Sequence, residues 1–145
     1  MIALLQRVTS ASVTVSDETV GRIGRGLLVL VAVHRDDGEH DVRRLAERIL
    51  SYRVFPDEEG RMNRSVLDED GGLLLVPQFT LAADTRKGAR ASFTRAAAPD
   101  KGEAYFRELV AICRDRLGNV ATGRFGANMQ VALVNDGPVT FWLES

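Results

Sequence analysis

Cysteine, histidine and lysine are all scarce in this sequence. A single cysteine, Cys113, stands among 145 residues, so no disulfide can close within the chain. That excludes a disulfide scaffold and suits a reducing compartment. The two histidines, His34 and His40, have no Cys pair or His-Glu-x-x-His spacing beside them. No metal site and no cofactor are therefore expected. There is no Gly-x-Ser-x-Gly elbow, and no histidine is placed to serve a Ser-His-Asp triad. An enzyme built on this chain must lean on hydroxyls, backbone dipoles or its substrate's own groups. The longest apolar run, Leu27 to Val33, falls far short of the roughly 18 residues of a membrane span. The stretch Met1-Ile2-Ala3-Leu4-Leu5-Gln6-Arg7 has no basic leader and no small-residue cleavage site, so a cytoplasmic location is expected.

What is present is ordinary in amount and biased in kind. The net charge is -1, with 45% hydrophobic and 27% charged residues, as in a folded globule. The length suits one domain, residues 1–145. Of 19 basic residues only Lys87 and Lys101 are lysine, which leaves 17 arginines, the side chain whose planar fork suits phosphate and carboxylate. Arg86, Lys87, Arg90 and Arg95 lie close together with no acid between them. A solvated loop and a phosphate-binding patch both fit that run.

Periodicity supplies the elements. Ile2 to Val8 and the alternating Ser12-Val13-Thr14-Val15-Ser16 read as strands, with a turn at Asp17-Glu18 and a short third strand at Val20 to Ile23. Gly21 to Gly26 lacks the spacing of a dinucleotide loop and reads as a hairpin turn. Leu27 to Val33 and Leu73 to Val76 read as buried central strands, and Arg53 to Phe55 as a short one. Asp41 to Ser51 and a segment from Pro99 to Leu117 have helical apolar faces, the second including Cys113 as a core residue. Two closing strands, Met129 to Val134 and Val139 to Leu143, flank a turn. The expected class is α+β, a mostly antiparallel, barrel-like sheet core with two main helices.

Two segments ask for more than a fold. In Val76-Pro77-Gln78-Phe79-Thr80-Leu81, Pro77 cannot donate to a sheet ladder, and an extended chain puts Gln78 and Thr80 on one side. Thr80 is either a satisfied strand-end hydroxyl or a site group. In Asn135-Asp136-Gly137-Pro138-Val139-Thr140 the choice is between a simple tight connection and a cis Gly-Pro unit that a ligand can approach closely.

Together these stretches make the chain recognisable. It resembles the D-aminoacyl-tRNA deacylases (the D-tyrosyl-tRNA deacylase family) along essentially its whole length. The matching residues are Met1 to Val8, Gln78-Phe79-Thr80-Leu81-Ala82-Ala83-Asp84-Thr85, Gly123-Arg124-Phe125, Met129-Gln130-Val131 and Asn135 to Leu143. Pro77 departs from the family's usual serine, and Ala91 from its frequent proline. The proline also occurs in a related branch that acts on an L-aminoacyl-tRNA, while Phe79 and the Asn-Asp-Gly-Pro-Val-Thr run match the D-specific pattern.

The resemblance implies a homodimeric hydrolase that needs no metal and removes D-amino acids, and glycine, from the 3′ end of tRNA. It implies that Gly137 and Pro138 of one subunit enter the partner's active site and reject L substrates. Thr80, Gln78 and Phe79 become the catalytic candidates. Arg7 is a support for the Gly-Pro segment or a surface ion pair, and Phe125 a pocket wall or a core aromatic. Arg86, Lys87 and Arg90 are the candidates for tRNA phosphates. Neither DNA nor a membrane is expected as a partner. The rival readings are a non-catalytic RNA-binding module and a deacylase of relaxed chirality, the second because of Pro77.

Overall fold

In the computed structural model, which describes residues 1–145, the N-terminal segment forms one strand rather than two: β1, Ile2–Val15. It continues past Thr9 through a register shift between Val8 and Ser10 in its pairing with the last strand. A two-residue turn follows, one residue earlier than its sequence suggests. Ser16 and Asp17 take φ of 48° and 65°, the left-handed pair that matches the twist of a hairpin. Strands β2, Glu18–Ile23, and β3, Gly26–Ala32, then run along one edge of β1, β2 beside its second half and β3 beside its first.

Helix α1, Glu39–Ser51, starts earlier than the apolar pattern alone indicates. Gly38 precedes it, and the Asp41 carboxylate accepts the Gly38 N–H at 2.9 Å. The two-stranded ribbon of β4, Phe55–Pro56, and β5, Met62–Arg64, follows, so the expected strand at 53–55 is shifted towards Pro56. Next come β6, Gly72–Pro77, a 3₁₀ turn at Phe79–Ala82, and helix α2, Pro99–Arg116, with Pro99 in its first turn. A short β7, Val120–Thr122, which the sequence pattern did not reveal, precedes the long β8, Gln130–Glu144.

The main sheet runs β2-β1-β3-β6-β7, with β8 along the other edge of β1. Pairs involving β1 are antiparallel, but β3–β6 and β6–β7 are parallel. The cause is connectivity. Helices α1 and α2 are the crossovers between those neighbouring strands, and a crossover returns the chain in the same direction. Strands β3 and β6 begin unusually close together: a Cβ on Gly26 would sit 1.9 Å from the Gly72 carbonyl oxygen, so that junction has room only for glycine.

Two cores fix the architecture. Ala3, Leu5, Leu27, Val29, Leu73 and Leu75 point to the face covered by α1 and α2, where Cys113 is fully buried. Burial pushes its thiol up to about 12, so it packs as a small apolar group rather than reacting as a thiolate. Val8, Val13, Leu28, Leu74 and Val76 fill the interior formed where the sheet curls on itself. No helix is long and apolar enough to cross a membrane.

A polar clasp ties the start of β1 to the end of β8. The Met1 α-ammonium donates to Asp37 Oδ1 at 2.8 Å and to Ser145 Oγ at 2.7 Å. The same aspartate accepts the His34 N–H at 2.6 Å, and its side chain is only 9% exposed. Replacing it strands two donors. Asp37→Ala is expected to lower stability by about 2–4 kcal/mol, measured by urea unfolding. The His34 imidazole lies below its ordinary pKa because burial disfavours the cation, reinforced by the nearby α-ammonium and Arg95, against the opposing pull of Asp37 and Glu144. The unfolded chain therefore takes up this proton first. The His34 contribution is complete above about pH 6.5 and declines as the pH falls towards the folded value. A series of unfolding midpoints from pH 8 to pH 5.5 should fall more for the wild type than for His34→Asn; parallel curves would refute this assignment.

Candidate active site

Strand β6 ends at Pro77 without disturbing its ladder. Leu73 and Gly123 bond across the β7 side, through Leu73 N–H to Asn119 at 2.9 Å and Gly123 N–H to Leu75 at 2.8 Å. Alternation puts Pro77 on that same side, where β7 has already stopped, so its missing N–H removes no strand bond. Gln78 faces the other way and donates its N–H to the Val31 carbonyl at 2.7 Å. There the chain leaves the extended form that the sequence suggested and enters the 3₁₀ turn. As at any helix start, the first N–H groups, those of Phe79 and Thr80, have no acceptor within the turn. Gln78 and Thr80 still converge, because Gln78 Nε2 donates to Thr80 Oγ1.

This turn borders a cavity of about 600 Å³, lined largely by apolar groups. Pro77, Gln78 and Phe79 form one wall, Phe93 and Ala97 another, and Phe125 and Met129 a third. Phe125 lines the cavity while also packing against the helix-side core. Phe79 is 60% exposed and meets Phe93 with ring centroids 5.2 Å apart. Phe93 was not singled out by sequence, since its segment shows no period. Thr80 is exposed beside the cavity rather than in its lining.

The second motif lies elsewhere. Residues 135–138 do not form a turn between two strands; they are an excursion within β8. Gln6 pairs with Thr140 and Val8 with Asn135, so four residues of β8, Asp136 to Val139, stand opposite Arg7 alone. The Gly137–Pro138 peptide is cis, and Gly137 has φ of 131°, a conformation that L side chains rarely adopt. Asn135 closes the neck of the excursion. Its Oδ1 accepts the Val139 N–H at 3.1 Å, and its Nδ2 donates to the carbonyls of Val139 and Arg7 at 3.1 and 3.3 Å. Its role was hidden in sequence, where it looks like one more turn residue.

Arg7 supports the excursion from below. Its Nε donates to the Asp136 carbonyl at 3.2 Å and lies 3.3 Å from the Asp136 carboxylate, while Nη1 reaches the Val54 carbonyl at 2.7 Å. The Arg7 side chain is 12% exposed, so it is a buried brace rather than a surface ion pair. Gly137 and Pro138 are themselves exposed.

Register places the two motifs apart within one chain. The excursion lies on the Arg7–Leu27–Leu73 row, and the cavity wall on the Leu143–Ala3–Val31–Pro77 row. Four residues along a strand are about 13 Å, and the three strand spacings from β8 to β6 about 14 Å, so the separation along the sheet is about 19 Å. Neither Gly137 nor Pro138 lines the cavity.

The basic run is also reordered. Asp84 accepts from Arg86 Nε at 2.9 Å and from Nη2 at 2.6 Å, and this pairing holds the Asp84 carboxyl far below its usual range. The fork of Arg86 is therefore occupied by a carboxylate two residues away, a partner visible in the sequence. Lys87 and Arg90 are exposed and outside the cavity.

Comparison with known proteins places this arrangement in a family. The family model described as D-Tyr-tRNA(Tyr) deacylase matches residues 4–144. The D-aminoacyl-tRNA deacylase of Alkalilimnicola ehrlichii is 66% identical over 145 residues, covering 100% of this chain and 97% of that protein. The corresponding protein of Pseudomonas aeruginosa is 62% identical, with full coverage of both chains. Among solved structures, one described as a c-Myc DNA Unwinding Element Binding Protein superposes with a TM-score of 0.95 at 40% identity, covering 100% of this chain and 99% of its own. A probable eukaryotic D-amino acid tRNA deacylase superposes at 0.85 with 21% identity, covering 99% and 98%, and shows the shared fold. The chain belongs to the D-Tyr-tRNA(Tyr) deacylase family.

Proposed function

We propose that this protein hydrolyses the ester between a D-amino acid, or glycine, and the 3′-terminal ribose of tRNA, and that it does so as a homodimer. Relatives named D-aminoacyl-tRNA deacylase, matched over essentially their whole length, support the reaction. The observation that carries the dimer is the separation of the two motifs. An aminoacyl group spans only a few ångströms and cannot touch both a cavity and a bend that lie about 19 Å apart along the sheet. The excursion is exposed, braced and available to a second copy. Strand β8 also pairs with β1 on one edge only and exposes Val134 and Trp142, an unfinished surface that a partner protomer would cover.

In this reading the carbonyl groups of Gly137 and Pro138 from the partner subunit hold the substrate's α-ammonium. The ester lies by Gln78 and the 3₁₀ turn. With both ends fixed, a D side chain points to open space and an L side chain into the proline ring. Exclusion by collision needs no attraction to the D side chain, so glycine passes as well. Pro77 places an apolar ring at the cavity wall beside Gln78, so its effect on selection is read directly from the ratio of D to L cleavage.

Chemistry follows from the scarcity of bases. Water adds to the ester carbonyl, the bond to the ribose oxygen breaks, and free amino acid and tRNA leave. The ribose 2′-hydroxyl assists this attack, while the free N–H groups at Phe79 and Thr80 receive the charge that develops on the carbonyl oxygen. Thr80 bonds Gln78 and has no histidine to activate it, which favours a positioning role over attack.

The direct test is deacylation of D-Tyr-tRNA, L-Tyr-tRNA and Gly-tRNA. The D and glycyl esters should be cleaved and the L ester spared by about 100-fold, equivalent to about 2.8 kcal/mol. Equal cleavage of both enantiomers would establish the relaxed-chirality alternative, and no cleavage with retained tRNA binding the non-catalytic one. Thr80→Ala should slow hydrolysis by less than about 100-fold; abolition with binding intact would make Thr80 the nucleophile. Asn135→Ala should lower the D-to-L ratio by about tenfold while leaving the cavity formed, because it frees the neck of the excursion. An unchanged ratio would remove Asn135 from selection.

A further inference from the structure

A second hollow adjoins the cavity. It occupies about 580 Å³ between α2 and the segment after β7, and it shares Phe106 and Phe125 with the cavity wall. Its chemistry differs from the cavity's. Arg107, Val110, Ala111 and Arg114 follow the spacing of one helix face, and Arg124 enters from the opposite bank, next to Phe125. Two acids also line it. Glu103 is bound to Arg107 at 2.7 Å, and Asp115 makes no ion pair. Arg114 and Arg124 have no carboxylate partner, so their guanidinium forks are open. On the far side of the cavity the fork of Arg86 is occupied by Asp84.

We propose that this groove takes the phosphodiester backbone leading into the esterified 3′ nucleotide, with Arg114 and Arg124 contacting the phosphates. The inference rests on the cavity taking the ester end of tRNA. A strand whose last nucleoside enters the cavity must leave over one rim. The Phe125 rim opens directly into a hollow with two free arginines, the residue best shaped for bidentate phosphate binding. Lys87 and Arg90 are exposed and lie on the loop that leads to Phe93. Phosphate contacts carry no sequence information, so the groove suits a protein that accepts many tRNAs.

The experiment compares two D-tyrosyl esters, one on full tRNA and one on adenosine, which has no phosphate. Steady-state kcat/KM is measured from 50 to 200 mM salt for the wild type, R114Q/R124Q, R114K/R124K and K87Q/R90Q. R114Q/R124Q should lose about tenfold on tRNA, and at least fivefold less on the adenosine ester. Its salt slope on tRNA should fall by about 1.5, near the change expected for two lost contacts. R114K/R124K should keep the wild-type slope, since each charge remains. Equal losses on both esters would assign the arginines to structure and overturn the proposal. A larger tRNA-specific loss in K87Q/R90Q would route the strand over the other rim and overturn it too. A wild type active on tRNA with an unchanged R114Q/R124Q defeats the groove alone, whereas a wild type inactive on both esters defeats the reading of the cavity and the groove with it.

Discussion

One asparagine side chain substitutes for backbone across a gap in the sheet. Between Asn135 and Thr140 the last strand departs from β1, and the ladder would otherwise leave the Arg7 and Val139 carbonyls and the Val139 N–H without partners. Asn135 bonds all three. Such groups cost roughly 1–3 kcal/mol each when left unpaired, so the side chain makes a four-residue excursion tolerable inside a long strand. Arg7 then fixes its direction by joining Asp136 to the Val54 carbonyl behind the sheet. Because both residues are anchored to β1, the most extensively paired strand, the exposed Gly137–Pro138 unit is carried on a rigid base.

The cavity depends on a different device. The parallel crossovers place α2 over β6 and let β7 stop short, which opens the space that Phe79, Phe93 and Phe125 surround. Pro77 belongs at the strand's last position because its neighbour has already ended. A serine there would add an N–H at the open edge beyond β7 and a hydroxyl at the cavity wall, so the substitution alters the cavity wall more than the sheet. The catalytic economy follows. In the proposed reaction the site would supply geometry, unpaired backbone donors and one glutamine–threonine contact, and leave the rest to an ester that is already activated.

Much of this was legible in the chain itself. The helices, the central strands and Cys113 as core follow from apolar periodicity, which reports burial directly. The two motifs were located because proline and glycine mark backbone that cannot continue a regular element. The failures share a physical cause. The excursion at 136–139 looked like a turn because composition reports local bending and cannot report that both flanks pair with the same strand. Strand β7 was missed because its side chains are half-buried and too few to show alternation. The parallel pairs depend on which strands the helices connect, a long-range fact. The pairing of Arg86 went unseen because the run was read from Arg86 onward, and Asp84, two residues earlier, was not weighed.

If the excursion of one protomer completes the cavity of another, damage to the two motifs should complement. Q78A/F79A breaks the cavity and leaves the excursion; N135A/P138G does the reverse. Co-refolded in equal amounts, the two impaired variants should form mixed dimers that carry one intact composite site. Random pairing makes half the dimers mixed, so deacylation of D-Tyr-tRNA should recover to about a quarter of the wild-type rate. Activity no greater than the sum of the two parents, or full activity in a monomeric wild-type chain, would contradict the account.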